Sequence, residues 1–138
     1  MTTARDIMTP DVTCAQATDS VLEAARRMAV LDVGALPICG ADQRLTGMLT
    51  DRDIVIKVLA AGLDPSATTA GELAQGKAIT VGADDDVTEV LTTMSQHQVR
   101  RLPVIDGHAL VGIVAVADVA RALPDRPVGD LIDAISAS

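Results

Sequence analysis

The stretch GMLTDRDIV, residues 47–55, decides the fold, because the chain repeats its pattern as GIVAVADVA at residues 112–120. Each copy begins with glycine and an apolar pair and carries an aspartate at the same step, Asp53 and Asp118. The fourth residue differs, since Thr50 in the first copy corresponds to Ala115 in the second. Such a repetition indicates that the chain is built from two copies of one supersecondary unit.

The repeat extends upstream of this phrase. The segment SVLEAARRMAVLDVGALPICG corresponds to DVTEVLTTMSQHQVRRLPVIDG, with Pro37 matching Pro103. The offset between the copies is one residue smaller at Gly47 and Gly112 than at these prolines, so the copies differ by one loop residue. Each copy opens with a threonine followed three residues later by an acid, in TARDIM and TAGELA, which is the pattern of a helix capping box.

The apolar pattern predicts the same order of elements in both copies. A short strand (VTC, AITV) precedes an amphipathic helix, in which Val21 and Met28, or Val87 and Met94, recur at helical spacing. A strand (ALPIC, RLPVI), a turn and a second strand (LTGML, LVGIV) follow. A helix from about Asp51 closes the first copy, as its counterpart closes the second. The order is therefore β-α-β-β-α, twice.

This order predicts an α/β (α+β) fold. The strand–helix–strand crossover implies a parallel pair, and the turn after it implies an antiparallel hairpin. We expect two repeats, residues 3–62 and 69–123, joined by a linker at 63–68 and followed by a tail at 124–138 with a short helix. One repeat is marginal alone, so we expect the two to pack sheet to sheet with pseudo-twofold symmetry around a central cleft.

Composition excludes several classes of function. The formal net charge of -8 argues against a nucleic-acid binder. No apolar run is long enough for a membrane span, and the first residues lack a secretory signal, so we expect a cytoplasmic protein without a membrane partner. The chain has no Phe, Tyr or Trp, so aliphatic side chains and backbone must hold any bound ring.

The repeated motifs resemble the tandem cystathionine-β-synthase (CBS) domain pair, also called the Bateman module. The resemblance is carried by DIMTPDVTC, VGALPICG, LTGMLTDRDIV, HQVRRLPVIDGHALVGIV and ADVA, and covers residues 3 to 123. Other stretches, such as LAAGLDP, are similar to small stand-alone actinobacterial CBS proteins of the hypoxic response type. The resemblance implies a regulatory, stress-related module that acts as a homodimer on an unknown protein target.

The resemblance to CBS pairs that bind adenosine compounds implies that the Thr50 hydroxyl and the Asp53 carboxylate contact such a ligand. The hydroxyl faces a phosphate or ribose oxygen, and the carboxylate accepts hydrogen bonds from vicinal ribose hydroxyls. The same two residues also fit an ordinary helix cap, and both interpretations stay open. Arginines before the Leu-Pro step imply phosphate contacts. The predicted nucleotide site comprises Met48, Thr50, Asp53, Ala78, Ile79, Arg100 and Arg101.

The symmetry-related position predicts a second, weaker site. It keeps a carboxylate but has Ala115 in place of the hydroxyl, and a glycine–alanine pair in place of the two arginines. An acid in the first turn of a helix is also favourable without any ligand. The residues assigned to this site are Val12, Gly34, Ala35, Ile113 and Asp118. Candidate ligands for the protein are AMP, ADP, ATP or S-adenosylmethionine, and no cofactor is required.

The cysteines and histidines give weaker signals. Cys14 and Cys39 fall at the ends of two strands that the β-α-β unit makes parallel neighbours, close enough for a disulfide. A reducing cytosol disfavours that bond, so it stays open. The spacing of the cysteines with His97 and His108 does not fit a zinc site, and we expect no metal.

Three classes of function follow from these observations. The leading hypothesis is a regulatory module that binds an adenosine compound and signals by conformational change. The alternative is a ligand-free structural or interaction protein of the same fold, which the missing aromatics and the altered second copy favour. An enzyme is disfavoured because the sequence offers no nucleophile–base pair and no metal cluster, which leaves redox chemistry of the two cysteines as the chemical variant.

Overall fold

The duplicated phrase forms two strand-to-helix junctions. The computed structural model describes residues 1–74 and 78–123. Outside the named helices and strands, a short 3-10 turn lies at Ala41–Gln43 and a π-helical segment at Val55–Leu59. In chain order the elements are α1 (Ala4–Ile7), β1 (Thr9–Pro10), β2 (Ala15–Gln16), α2 (Val21–Leu31), β3 (Ala35–Cys39), β4 (Leu45–Thr50), α3 (Asp51–Ile54), α4 (Ala70–Leu73), β5 (Val81–Gly82), α5 (Val87–His97), β6 (Arg101–Asp106), β7 (Ala109–Ala115) and α6 (Val116–Ala122).

Two sheets confirm the mixed α/β class and the repeated β-α-β-β-α order. One sheet has the strand order β2-β3-β4, with β2 parallel to β3 and β3 antiparallel to β4. The other has the order β1-β7-β6-β5, with the same parallel and antiparallel pairings among β5, β6 and β7. The added strand β1 pairs antiparallel with β7 and was not predicted.

The sequence pattern placed the first strand of each copy too early, with only Val81 shared between a predicted and an observed strand. The predicted strands VTC and AITV lie at residues 12–14 and 78–81, whereas the structure has Ala15–Gln16 and Val81–Gly82. Pairing with the neighbouring strand decides these positions, since Ala15 lies opposite Ile38 and Val81 lies opposite Val104. These strands have two residues each, too few for an alternating pattern to mark their ends.

The chain divides into two compact units that do not follow the order of the repeats. The nested unit is residues 13–78, and the split unit combines Met1–Val12 with the chain from Ile79 onward. Each short helix after a predicted capping box therefore belongs to the unit of the other copy: α1 to the split unit and α4 to the nested unit. The repeat bounds 3–62 and 69–123, and the packing of the repeats sheet to sheet, stay predictions.

Each unit has its own aliphatic core. Ala4 of α1 and Ala70 of α4 are both fully buried, each in the core of its unit, because α1 and α4 lie against the neighbouring sheet strands. No helix in residues 1–74 and 78–123 has the length and apolar character needed to cross a membrane. The predicted tail, 124–138, lies outside the described residues. The other buried members are Val81, Ala83, Val87, Val90, Met94, Leu102, Val104, Val114 and Val119 in the split unit, and Ala15, Ala24, Met28, Leu36, Ile38, Leu49 and Ala74 in the nested unit.

Candidate functional site

Thr50 and Asp53 form a reciprocal capping box where β4 passes into α3. The Asp53 backbone N–H donates to Thr50 Oγ1 at 3.1 Å, and the Thr50 backbone N–H donates to Asp53 Oδ2 at 3.1 Å. The other carboxylate oxygen, Asp53 Oδ1, lies 3.4 Å from Lys57 Nζ. The Asp53 side chain is 25% exposed. The capping role is therefore real, and the carboxylate still reaches the surface.

Two other threonine boxes show what distinguishes Thr50. The hydroxyls of Thr3 and Thr69 donate to their own acids, Asp6 at 3.1 Å and Glu72 at 3.0 Å. The same acids accept the backbone N–H of the threonine, and these bonds hold the pKa of both carboxyls below the ordinary value. Within the described chain, the Thr50 hydroxyl accepts from Asp53 but donates to no acceptor. Its proton is therefore free for a ligand oxygen.

The second copy keeps only half of this arrangement. The Ala115 backbone N–H donates to Asp118 Oδ2 at 2.8 Å, as in the first copy. Alanine supplies no hydroxyl, and Asp118 Oδ1 forms a short ion pair with Arg121 Nη2 of the same helix. The Asp118 side chain is only 11% exposed. This carboxylate is both more buried and more tightly paired than that of Asp53.

Two arginines assigned to the first site lie in the split unit. Arg101 pairs with Ala115 across β6 and β7, and the Arg100 carbonyl accepts the Val116 N–H at 2.9 Å. Both side chains are exposed. Within their own unit they therefore lie beside the junction that carries Asp118. Their assignment to a site with Asp53 stays a prediction.

The nested unit has the matching arrangement. Ala35 pairs with Thr50 across β3 and β4, and the Gly34 carbonyl accepts the Asp51 N–H at 2.9 Å. The two residues assigned to the second site thus lie beside the first junction. Met48 lies on β4, opposite Pro37. Of the other assigned residues, Ile113 on β7 and Val12 belong to the split unit and are half-buried, Ala78 is half-buried in the nested unit, and Ile79 is exposed in the split unit.

Gly47 makes room for the protein's own backbone. A Cβ at this position would overlap the carbonyl oxygen of Ala74, which follows α4. Gly112 in the second copy is similarly close to Met8 and Thr9, which follow α1. The two glycines of the repeated phrase thus allow a short segment to pack closely against a strand.

Cys14 and Cys39 are joined in a disulfide within the nested unit. Their Cα atoms are 5.8 Å apart, and both side chains are buried. Cys39 ends β3, and Cys14 directly precedes β2, its parallel neighbour. The bond ties the first strand of the unit to its centre and occupies both sulfur atoms, so neither is a free thiolate.

The described residues offer no cluster suited to a metal ion. No group of three or more His, Cys, Asp or Glu side chains converges in residues 1–74 and 78–123. His97 lies in the last turn of α5 and His108 in the turn between β6 and β7, both exposed. With the cysteine sulfurs bonded to each other, the thiolate ligands that zinc prefers are absent from this part of the chain.

The fold and the two junctions define a CBS pair. The family model for the CBS domain matches residues 4–60 and 70–125, and the chain belongs to this family. Proteins of this family are in general regulatory modules rather than enzymes. The chain is 56% identical over 135 residues to hypoxic response protein 1 of Mycobacterium tuberculosis, covering 98% of this chain and 94% of that protein.

Solved structures agree with this assignment. A crystal structure of hypoxic response protein I with two coordinated zinc ions superposes with a TM-score of 0.83 at 59% identity, covering 89% of this chain and 100% of that one. CBSX2, crystallised in complex with AMP, has a TM-score of 0.77 at 24% identity over 88% of this chain and 96% of that one, which shows a shared fold. The chain is also 37% identical over 120 residues to the CBS domain-containing protein YhcV of Bacillus subtilis, covering 87% of this chain and 84% of that protein.

Sequence reasoning missed the partners of the two aspartates. Lys57 follows Asp53 by four residues and Arg121 follows Asp118 by three, both spacings that bring side chains together on a helix. That spacing was the signal that could have identified them.

Proposed function

We propose that this chain is a non-enzymatic regulatory module that binds an adenine nucleotide or adenosine derivative. The observation that carries the proposal is the Thr50–Asp53 junction, where a free hydroxyl proton adjoins a partly exposed carboxylate. A carboxylate accepts the two hydrogen bonds that a vicinal diol donates, and a hydroxyl donates to a phosphate or ribose oxygen. No other threonine box in the described chain leaves its hydroxyl proton free.

The remaining residues of the proposed site supply contacts for the base and the phosphates. The exposed guanidinium groups of Arg100 and Arg101 can form charge-assisted bonds to phosphate oxygens. Met48, Ala78 and Ile79 supply aliphatic contact for adenine. The second position, with Asp118, is the weaker candidate because it lacks the hydroxyl and its carboxylate is paired. AMP binding to CBSX2 shows that this fold can hold such a ligand.

The test is calorimetric titration of the full chain with AMP, ADP, ATP and S-adenosylmethionine. We expect binding of at least one of them, and its loss in Asp53→Asn, which replaces a diol acceptor by an amide. The matched control is Glu72→Gln, because it weakens an equivalent capping box in the same unit. Absence of heat from all four compounds at millimolar concentration contradicts the proposal, as does equal weakening by both variants.

We also propose that the module acts in the cytoplasm as a homodimer whose conformation, shifted by the ligand, is sensed by a protein target. Light scattering with and without the bound compound measures the oligomeric state. A monomer under both conditions contradicts this part of the proposal and leaves ligand binding intact.

The second candidate is a ligand-free interaction protein with a structural disulfide. Pairing of Asp53 with Lys57 favours it, because the protein's own cation already neutralises the carboxylate. The discriminating measurement is mass spectrometry of the supernatant after the purified protein is denatured. A co-purified adenosine compound excludes this candidate.

Zinc is coordinated in the crystal structure of hypoxic response protein I and is not a ligand we propose for this chain. The described residues lack a cluster of ligands, and the two cysteine sulfurs are bonded to each other. We therefore assign no step to a metal.

A further inference from the structure

The two repeated aspartates differ in how their own helices neutralise them. In each, carboxylate oxygen Oδ2 accepts a hydrogen bond from the backbone N–H three residues earlier, at 3.1 Å from Thr50 to Asp53 and at 2.8 Å from Ala115 to Asp118. The two aspartates differ in the cation that contacts the other carboxylate oxygen, Oδ1. Asp53 Oδ1 lies 3.4 Å from Lys57 Nζ, whereas Asp118 Oδ1 forms a short ion pair with Arg121.

These two cations hold a carboxylate with different strength. An ammonium group on a flexible stem is a compact, strongly hydrated charge, and the exposed pair that it forms is weak. A guanidinium group is a planar fork of donors that matches carboxylate geometry and stays charged. The exposed fractions follow the same order, since the side chain of Asp53 is 25% exposed and that of Asp118 is 11% exposed.

A ribose diol must compete with these cations for the same oxygen. Oδ2 already accepts one backbone N–H, so Oδ1 is the oxygen with more acceptor capacity for a ligand hydroxyl, and it is also the oxygen that each cation contacts. Both cations are largely exposed, Lys57 at 54% and Arg121 at 73%, so the difference lies in the carboxylate that each would leave. Asp53 is partly hydrated, and it is free to accept once Lys57 moves into solvent. Arg121 holds a nearly buried partner, and its departure would leave that carboxylate without a counter-charge.

We propose that Lys57 and Arg121 are internal competitors that set which of the two repeated aspartates a ligand can use. Lys57 lowers the affinity at Asp53, and Arg121 closes the position at Asp118. This inference rests on the proposed function and adds two residues that set the affinity and the number of bound molecules. The chain therefore binds one adenosine compound rather than two.

The first test titrates the full chain with adenosine, which has no phosphate for a lysine to attract. We expect Lys57→Met, which keeps the apolar stem and removes the charge, to bind adenosine about two- to fivefold more tightly, the range that an exposed ion pair contributes. Arg26→Met removes the same charge from α2 of the same unit and should leave the affinity unchanged. Unchanged or weaker binding in Lys57→Met overturns the role of Lys57.

The second test counts bound molecules. We expect the stoichiometry to rise from one to two adenosines per chain in Arg121→Met, and to return to one when Asp118→Asn is added. Circular dichroism and thermal unfolding of each variant show that it remains folded. One bound molecule in folded Arg121→Met overturns the role of Arg121.

The outcomes separate this inference from the function on which it rests. Binding by the wild type with no change in either variant contradicts the inference alone. Absence of binding in the wild type and in both variants contradicts the inference and the proposed function together. Binding that appears only when Lys57 or Arg121 is replaced supports both, with the competitor strong enough to exclude the ligand.

Discussion

Single side chains decide how much of the candidate site the sequence reveals. The spacing of Thr50 and Asp53 predicts a capping box, and the structure has one, because the pairing is local and uses only four residues. The sequence could not decide whether the Thr50 proton is free. That depends on hydroxyl orientation, and Thr69 with the same spacing donates to Glu72.

At the residue scale, the contacts of Glu72 predict that the stability of the protein falls in acid. The Thr69 backbone N–H and then its hydroxyl donate to this carboxylate and lower its pKa in the folded state. Because the pKa is lower in the folded state, the ionised carboxylate stabilises the fold at pH values above the pKa of the unfolded chain, about 4.3. This stabilisation is lost as the pH falls through the pKa of the folded state. We expect Glu72→Gln to reduce the loss of unfolding free energy between pH 6 and pH 3, measured by urea titration.

The control for this experiment is Glu89→Gln, which removes the same charge from the first turn of α5, a helix capped by Asp86. It should retain the acid-dependent loss seen in the wild type. A decline of equal steepness in Glu72→Gln and the wild type would show that the Thr69 bonds contribute nothing to the acid sensitivity.

At the scale of helices and strands, long periodic segments were predictable and short ones were not. The helix at Val21–Leu31 and the strand at Ala35–Cys39 follow from apolar spacing. The strand Thr9–Pro10 has two residues, which cannot show a period, and exists because β7 offers it a partner. The π-helical segment at Val55–Leu59 has no composition that distinguishes it from an α-helix.

The disulfide is expected to contribute to the stability of the nested unit. It joins residues 25 positions apart, and closing a loop of that size in the unfolded chain stabilises a protein by about 3 kcal/mol. We expect a reductant to lower the free energy of unfolding of this unit by about 2–4 kcal/mol. Urea unfolding with and without reductant measures the change.

The variant Cys14→Ser/Cys39→Ser serves as the matched control. It should resemble the reduced wild type and be insensitive to the reductant. A wild type whose unfolding midpoint is the same in both conditions would rule out this contribution.

For the molecule as a whole, the exchange of short segments between copies is the feature that the repeat concealed. The repeat in the sequence places α1 with the first copy, yet Ala4 is buried in the core of the split unit. Ala70 is likewise buried in the core of the nested unit. Similarity between the two copies shows which segments correspond in sequence. It does not show which segments pack into the same core, and this information comes from the structure.

This exchange predicts which unit each buried alanine stabilises. Ala4→Asp and Ala70→Asp each place a charge at a position with no solvent exposure, which costs several kcal/mol. We expect Ala4→Asp to speed amide exchange in residues 79–123 and Ala70→Asp to speed it in residues 13–74, measured by hydrogen exchange with mass spectrometry. The opposite pattern, with Ala4→Asp acting on residues 13–74, would contradict the observed units.

The pairing of Thr9 with Ile113 has a consequence for how the protein is made. On the ribosome, residues 1–12 emerge before β7, their partner strand, which lies about 100 residues later in the chain. The nested unit, residues 13–78, is translated between these two segments. The strand Thr9–Pro10 can therefore pair only after β7 has been translated, and a pause in translation before β7 prolongs the exposure of this strand to chaperones and proteases.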